Sequence, residues 1–84
     1  MILTRDRAIP LLANVVVAAI TRTVRGLPTE VELGGEHGVD AGCVINCDNL
    51  MTISKRQLGR RRGDLDPTAL RRLRAALLVA LDLR

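Results

Sequence analysis

The chain has one clear helical pattern, which begins after Asp66, and most apolar segments before it have the character of short strands. Asp66 followed by Pro67 is typical of a helix start, because aspartate caps free backbone N–H groups and proline is favoured at the first helical position. Apolar residues then recur at helical spacing. They are Leu70, Leu73, Leu77 and either Ala80 or Leu81. The sequence therefore predicts a C-terminal amphipathic helix.

Short strands are predicted for most of the remaining chain. Residues 15–21 begin with three consecutive valines and contain no polar interruption, which favours a central strand buried on both faces. Residues 29–33 alternate, with the valine and the leucine predicted to point inward and the two glutamates outward. Further strands are predicted at residues 43–46, 51–53 and 58–62. Four or five antiparallel strands with one helix make a small α+β domain.

The size and composition of the chain limit how large its hydrophobic core can be. Eighty-four residues form one domain, near the lower end of what folds without disulfides or metals. Nearly half of the residues are apolar, yet none is Phe, Trp or Tyr, so Val, Ile, Leu and Ala must build the core. Such a core is thin, and we expect a second copy of the chain to cover part of it in a homodimer.

The charge balance points to an anionic partner. The net charge is +4, and twelve of the thirteen basic residues are arginines, whose guanidinium groups bind phosphates in a bidentate manner. A basic chain of this kind suits RNA, DNA or an acidic protein. A GC-rich genome also raises arginine content, so composition alone is a competing explanation of the excess.

The cysteines and the single histidine give no sign of a metal or cofactor site. Cys43 and Cys47 would lie on one face of a continuous strand, roughly 13 Å apart, which is too far for a disulfide. We expect both to be reduced and buried. His37 lies in a loop rich in glycine and acidic residues, where a solvated side chain is expected. The apolar run at residues 11–20 is too short to span a membrane, and a cytoplasmic location is expected.

Residues 43–65 hold the candidate site. Asn46 and Asp48 alternate with Cys47, so they should share one face of a strand while Cys47 occupies the other. A carboxylate and an amide close to the basic residues 60–62 can act on a phosphodiester. The competing interpretation is that both side chains form a turn by bonding to local backbone.

The order of the motifs resembles the MazF/PemK family of bacterial endoribonuclease toxins. Residues 43–54, with Leu58 and the basic tail 60–65, resemble the C-terminal half of that family: a strand, Asn or Arg, one residue, Asp, a Thr-Ile pair and a basic segment before the last helix. Residues 19–31 resemble the family's threonine-containing loop with its Gly-x-x-x-Glu-Val exit. Residues 2–6 resemble the end of the strand that follows the family's Arg-Pro pair.

This resemblance implies a compact SH3-like antiparallel β-barrel with a C-terminal helix. It also implies a homodimeric toxin of a type II toxin–antitoxin system, an mRNA interferase that cleaves single-stranded RNA at a specific sequence without a metal and is inhibited by an acidic antitoxin. The family's first strand and its Arg-Pro pair would fall before Met1. We therefore expect residues 1–84 to be a single domain that is truncated at its N-terminus relative to the family.

The resemblance assigns catalytic roles to two residues. Asp48 is expected to act as the general base, and the Thr21 hydroxyl to donate a hydrogen bond to a phosphate oxygen. The remaining candidates are expected to bind RNA. They are Arg22, Thr23, Arg25, Asn46 and Asn49. Without the resemblance, Thr21 is equally typical of a strand edge, and the arginines of a solvated loop.

Two other functions compete with the nuclease. The first is a catalytically inactive toxin-like module that binds antitoxin or RNA. It is suggested by the expected loss of the N-terminal segment together with Asn46, which occupies the position at which one branch of the family has an arginine and which cannot donate a proton to a leaving group in the same way. The second is a gyrase-poisoning toxin of similar fold, which rests on fold analogy alone.

Overall fold

The computed structural model describes residues 1–59 and 63–82 and has the predicted α+β architecture. Its regular elements within those residues are three strands and one helix, together with three 3-10 turns. The strands are β1 (Asn14–Thr21), β2 (Glu30–Leu33) and β3 (Cys43–Ser54), and the helix is α1 (Pro67–Ala80). The 3-10 turns are Ile9–Leu11, Gly35–His37 and Lys55–Gln57.

The three strands form an antiparallel sheet in the order β1-β3-β2. The two strands predicted at residues 43–46 and 51–53 are parts of the single long strand β3. Its register against β1 shifts in the middle, because Ala19 pairs with Asn46 whereas the preceding Ala18 pairs with Leu50. The three residues between those partners, 47–49, therefore form a bulge that has no pairing partner on β1.

The prediction that residues 15–21 are buried on both faces is wrong. Val15 and Ala18 are buried, but Val16 and Ile20 remain 39% and 41% exposed. The reason is that α1 packs against β2 and β3 and leaves much of β1 uncovered. The backbone of β1 is nevertheless bonded on both sides, since Met1 accepts a hydrogen bond from Ala18 N at 2.8 Å on the side away from β3.

The core lies between α1 and the face of β2 and β3 that it covers. Ile45 is completely buried there, and Leu73 and Ala76 pack onto it from the helix. The predicted cap is present, because Asp66 Oδ1 accepts a hydrogen bond from Ala69 N at 2.8 Å. Not all of the helically spaced apolar residues are buried: Leu73 is buried, whereas Leu70 is on the exposed side of α1.

Two further predictions concern the segment before α1. Leu58 and Gly59 lie outside any strand, and residues 60–62 of the predicted strand 58–62 lie outside the described residues. The prediction of a solvated histidine is wrong, because the His37 side chain is only 8% exposed. The 3-10 turn Gly35–His37 folds the ring back so that Nδ1 accepts a hydrogen bond from Gly34 N at 3.2 Å.

Candidate active site

Thr21 is the last residue of β1, where it pairs with Val44 of β3. Its hydroxyl oxygen accepts a hydrogen bond from Thr23 N at 3.1 Å. A hydroxyl that accepts in this way still has its own proton to donate. The end of a paired strand therefore holds a hydroxyl donor in a defined position, and the loop that follows turns back over it.

Asp48 occupies the centre of the bulge in β3, and its side chain is exposed. Its carboxylate oxygen Oδ2 accepts a hydrogen bond from Thr29 Oγ1 at 2.6 Å. Its backbone N–H donates to Asn46 Oδ1 at 3.0 Å. The local, turn-type bond is therefore made by Asn46, while the carboxylate of Asp48 is held by a residue of a different segment.

The register of the sheet brings Thr21 close to these two residues. Because Thr21 pairs with Val44 and Ala19 pairs with Asn46, Thr21 and Asn46 are diagonal neighbours on one face of the sheet. Such neighbours have Cα atoms roughly 7–8 Å apart. Along β3, Asn46 therefore lies between the position opposite Thr21 and the bulge that holds Asp48, and Glu30 at the start of β2 pairs with Asn46 from the other side.

Arg22 and Arg25 lie in the loop between β1 and β2, and both are exposed. Arg22 forms an exposed ion pair with Asp40, and the hydrogen bond and charge of that carboxylate raise the pKa of the Arg22 guanidinium. The backbone N–H of Arg25 donates to Glu30 Oε1 at 3.1 Å, and Leu27 N donates to the same oxygen at 3.0 Å. The Glu30 carboxylate therefore fixes the backbone of the loop beside the predicted site.

The remaining predicted RNA-binding residues are placed less firmly. Thr23 is exposed, and its backbone N–H donates to Thr21 Oγ1. Asn49 is exposed in the bulge, and its side chain makes no hydrogen bond to another residue of the described chain. The structure makes Thr21 and Asn46 diagonal neighbours and bonds Asn46 to the backbone of Asp48, whereas Arg22, Thr23, Arg25 and Asn49 are exposed around them.

The sequence analysis missed Thr29 and Asp40. Thr29 carried a usable pattern, because it precedes Val31 and Leu33 at the same two-residue spacing and so falls on the inward side of the segment that leads into β2. A polar side chain at an inward position needs a hydrogen-bond partner. No comparable pattern marked Asp40, which lies in the irregular chain between the second 3-10 turn and β3.

Cys47, which directly precedes Asp48, is buried, as the alternation of strand faces predicted. Burial raises the pKa of its thiol, and the neighbouring Asp48 charge raises it further. Cys43 is also buried, and neither cysteine forms a disulfide. Across residues 1–59 and 63–82, no group of three His, Cys, Asp or Glu side chains is arranged to hold a metal ion. Within the same residues, no helix has the length and apolar character needed to cross a membrane.

Comparison with known proteins identifies the family to which the chain is similar. Residues 1–81 match the family described as PemK-like, MazF-like toxin of type II toxin–antitoxin systems. The chain is 49% identical over 65 residues to an endoribonuclease, MazF3, of Mycobacterium tuberculosis. That match covers 77% of this chain but only 63% of the relative, so the chain spans less than two thirds of that protein's length.

Solved structures resemble the whole described fold. A Mycobacterium tuberculosis toxin, MazF-mt6, matches with a TM-score of 0.96 and 44% identity, over 100% of this chain and 85% of that one. A mycobacterial endoribonuclease solved in complex with its cognate antitoxin matches with a TM-score of 0.89 and 30% identity, over 100% of this chain and 80% of that one. The SH3-like, MazF/PemK-like fold expected from the sequence is thereby confirmed.

Proposed function

Since the chain belongs to the PemK-like, MazF-like family of toxins from type II toxin–antitoxin systems, we propose that it is a sequence-specific, metal-independent endoribonuclease acting on single-stranded RNA. Endoribonuclease is the activity named for the relatives with which it shares sequence. The observation that carries the proposal is the exposed Asp48 carboxylate, whose Oδ2 accepts a hydrogen bond from Thr29 Oγ1 at 2.6 Å. The Asp48 backbone N–H bonds to Asn46, which pairs with Ala19, two residues before Thr21 on β1.

The reaction follows from these groups. The Asp48 carboxylate takes the proton of a ribose 2′-hydroxyl, and that oxygen forms a bond to the adjacent phosphorus. The bond between phosphorus and the 5′-oxygen breaks, and the leaving oxygen takes a proton from solvent. The Thr21 hydroxyl donates a hydrogen bond to a non-bridging phosphate oxygen while negative charge develops there. The products are a 2′,3′-cyclic phosphate and a 5′-hydroxyl.

The rim residues hold the RNA. The exposed guanidinium groups of Arg22 and Arg25 contact backbone phosphates of the RNA, and Thr23 adds a hydroxyl to the same loop. The side-chain amides of Asn46 and Asn49 can donate and accept hydrogen bonds, so they read base edges. Single strands are the usual targets of such reading, because their base edges are unpaired.

The same cationic loop suits an inhibitory partner. An acidic antitoxin segment would compete with RNA for Arg22 and Arg25, as expected for a toxin that is kept inactive in the cytoplasm. A homodimer would cover apolar side chains that this chain leaves exposed. They include Val16, Ile20, Leu70, Leu78 and Leu81.

The proposal is tested by incubating the purified chain with single-stranded RNA of mixed sequence in EDTA. Asp48→Ala should lower the cleavage rate by about a hundredfold or more, because the general base is lost. Thr21→Ala should lower it by about tenfold, because one hydrogen bond to the charged transition state is lost.

Exposed residues outside the site provide matched controls. Asp6→Ala and Thr52→Ala remove the same groups from an exposed turn and from an exposed position of β3, and both should cut at the wild-type rate. Wild-type cleavage that survives both Asp48→Ala and Thr21→Ala would contradict the assigned site. A wild-type chain that binds RNA without cutting it would instead support the non-catalytic, toxin-like module.

A further inference from the structure

We propose that Thr29 is a positioning residue that aims the Asp48 carboxylate, an inference that rests on the proposed nuclease function. Thr29 is 7% exposed, and it is the one buried polar or charged residue in the described part of the chain. Its hydroxyl donates to Asp48 Oδ2 at 2.6 Å. A residue this buried offers almost no surface for RNA, so its effect on the reaction is expected to pass through Asp48.

Thr29 holds the bulge of β3 at two successive residues. Its carbonyl oxygen accepts a hydrogen bond from Cys47 N at 2.9 Å, and its hydroxyl bonds to the side chain of the next residue, Asp48. The bulge has no pairing partner on β1, because the register shifts between Ala18 and Ala19. The bulge is therefore held from the β2 side, by Thr29.

The position of Thr29 is itself well defined. Pro28 precedes it and restricts the backbone, and Glu30 follows it as the first residue of β2, paired with Asn46. Glu30 also holds the loop before it through the backbone N–H groups of Arg25 and Leu27. The hydroxyl is thus carried by a segment that has little freedom to move.

The consequence for Asp48 is an orientation of its two oxygen atoms. Oδ2 is occupied by Thr29, while Oδ1 has no hydrogen-bond partner within the described residues. Fixing one oxygen restricts rotation of the carboxylate and presents the other to an incoming 2′-hydroxyl. Orientation of this kind raises the rate of a bound complex without strengthening substrate binding. Removal of the Thr29 hydroxyl should therefore lower kcat and leave KM unchanged.

The test compares Thr29→Val, Thr29→Ser and wild type in steady-state cleavage of one RNA. Valine keeps the branched shape and removes the donor, so kcat should fall about three- to tenfold, the scale of one hydrogen bond to a charged group that water partly replaces. Serine keeps the hydroxyl and should restore kcat. Thr52→Val makes the same change at an exposed position of β3 and should leave kcat unchanged.

A second measurement separates this inference from the nuclease proposal. The ¹³C chemical shift of the Asp48 carboxyl group reports its hydrogen bond without any activity, and it should move in Thr29→Val but not in Thr29→Ser. If Thr29→Val does not fold, Thr29→Ala replaces it in both measurements.

The outcomes are distinguishable. A fall in kcat with constant KM, together with rescue by serine, supports the positioning role. Wild-type kcat in a folded Thr29→Val variant overturns that role and leaves the nuclease proposal standing, as does a loss of thermal stability with kcat intact. If the wild-type chain cuts no RNA, the nuclease proposal fails and the catalytic role of Thr29 fails with it, while the carboxyl shift still shows whether the contact exists.

Discussion

Asp40 forms an ion pair with Arg22, one of the arginines that we propose bind RNA. Its carboxylate pairs with Arg22, and the side chains are 73% and 72% exposed, respectively. Exposed ion pairs of this kind contribute little to stability, because water and salt screen both charges. A phosphate can therefore displace Asp40 from Arg22 at small cost, so the pair holds the guanidinium near the site without blocking it.

Substitutions at this pair should change RNA binding in opposite directions. Asp40→Asn removes the competing charge and should tighten binding at low salt about two- to fivefold. Arg22→Ala should weaken binding across sequences and reduce the slope of log affinity against log salt by about 0.7, the value for one contact to a single strand. Fluorescence anisotropy with an RNA that has methylated 2′-hydroxyls measures both without cleavage.

Arg71→Ala is the control for this experiment, because Arg71 is an exposed arginine of α1 that bonds to Thr68 of the same helix. It should lower affinity less than Arg22→Ala. Equal salt slopes for Arg22→Ala and wild type would show that Arg22 makes no phosphate contact.

At the scale of elements, Asp66 caps the N-terminus of α1, and its role is structural. Asp66→Ala removes the side chain that accepts from Ala69 N, so the free energy of unfolding should fall by about 1 kcal/mol. Asp66→Asn should keep most of that stability, because asparagine caps about as well. Urea denaturation of the three proteins measures the difference, and equal losses for both variants would contradict the capping account.

How far each element was predictable depends on whether its cause is local. The start of α1 was predicted correctly, because Asp66 and Pro67 act on the backbone beside them. The burial of residues 15–21 on both faces was predicted wrongly, because burial there depends on how far α1 extends over the sheet. The bulge at residues 47–49 depends on the register between β1 and β3, which are far apart in sequence, so no local sequence pattern predicted it. The sequence suggested Thr21 and Asp48 as catalytic residues, which stays a prediction, but it did not suggest Thr29, whose hydroxyl bonds to Asp48.

In the whole molecule, residues in or directly beside all three strands contribute to the candidate active site. Thr21 ends β1, Thr29 directly precedes β2, and Asp48 lies in the bulge of β3, while α1 packs against the sheet to form the core. The fold therefore supplies a rigid frame, and the irregular positions of that frame supply the exposed groups. Strand ends and bulges suit this purpose, because they re-aim side chains that a regular ladder would keep paired.

The chemical nature of the cut ends tests the central claim most directly. The purified chain is incubated with single-stranded RNA in EDTA, and the product termini are identified by mass spectrometry. Attack by the neighbouring 2′-hydroxyl, with Asp48 as base, predicts a 2′,3′-cyclic phosphate or its 3′-phosphate hydrolysis product, and a 5′-hydroxyl on the other fragment. Products that carry a 5′-phosphate and a 3′-hydroxyl would contradict the account, because such ends require attack by water instead of the ribose.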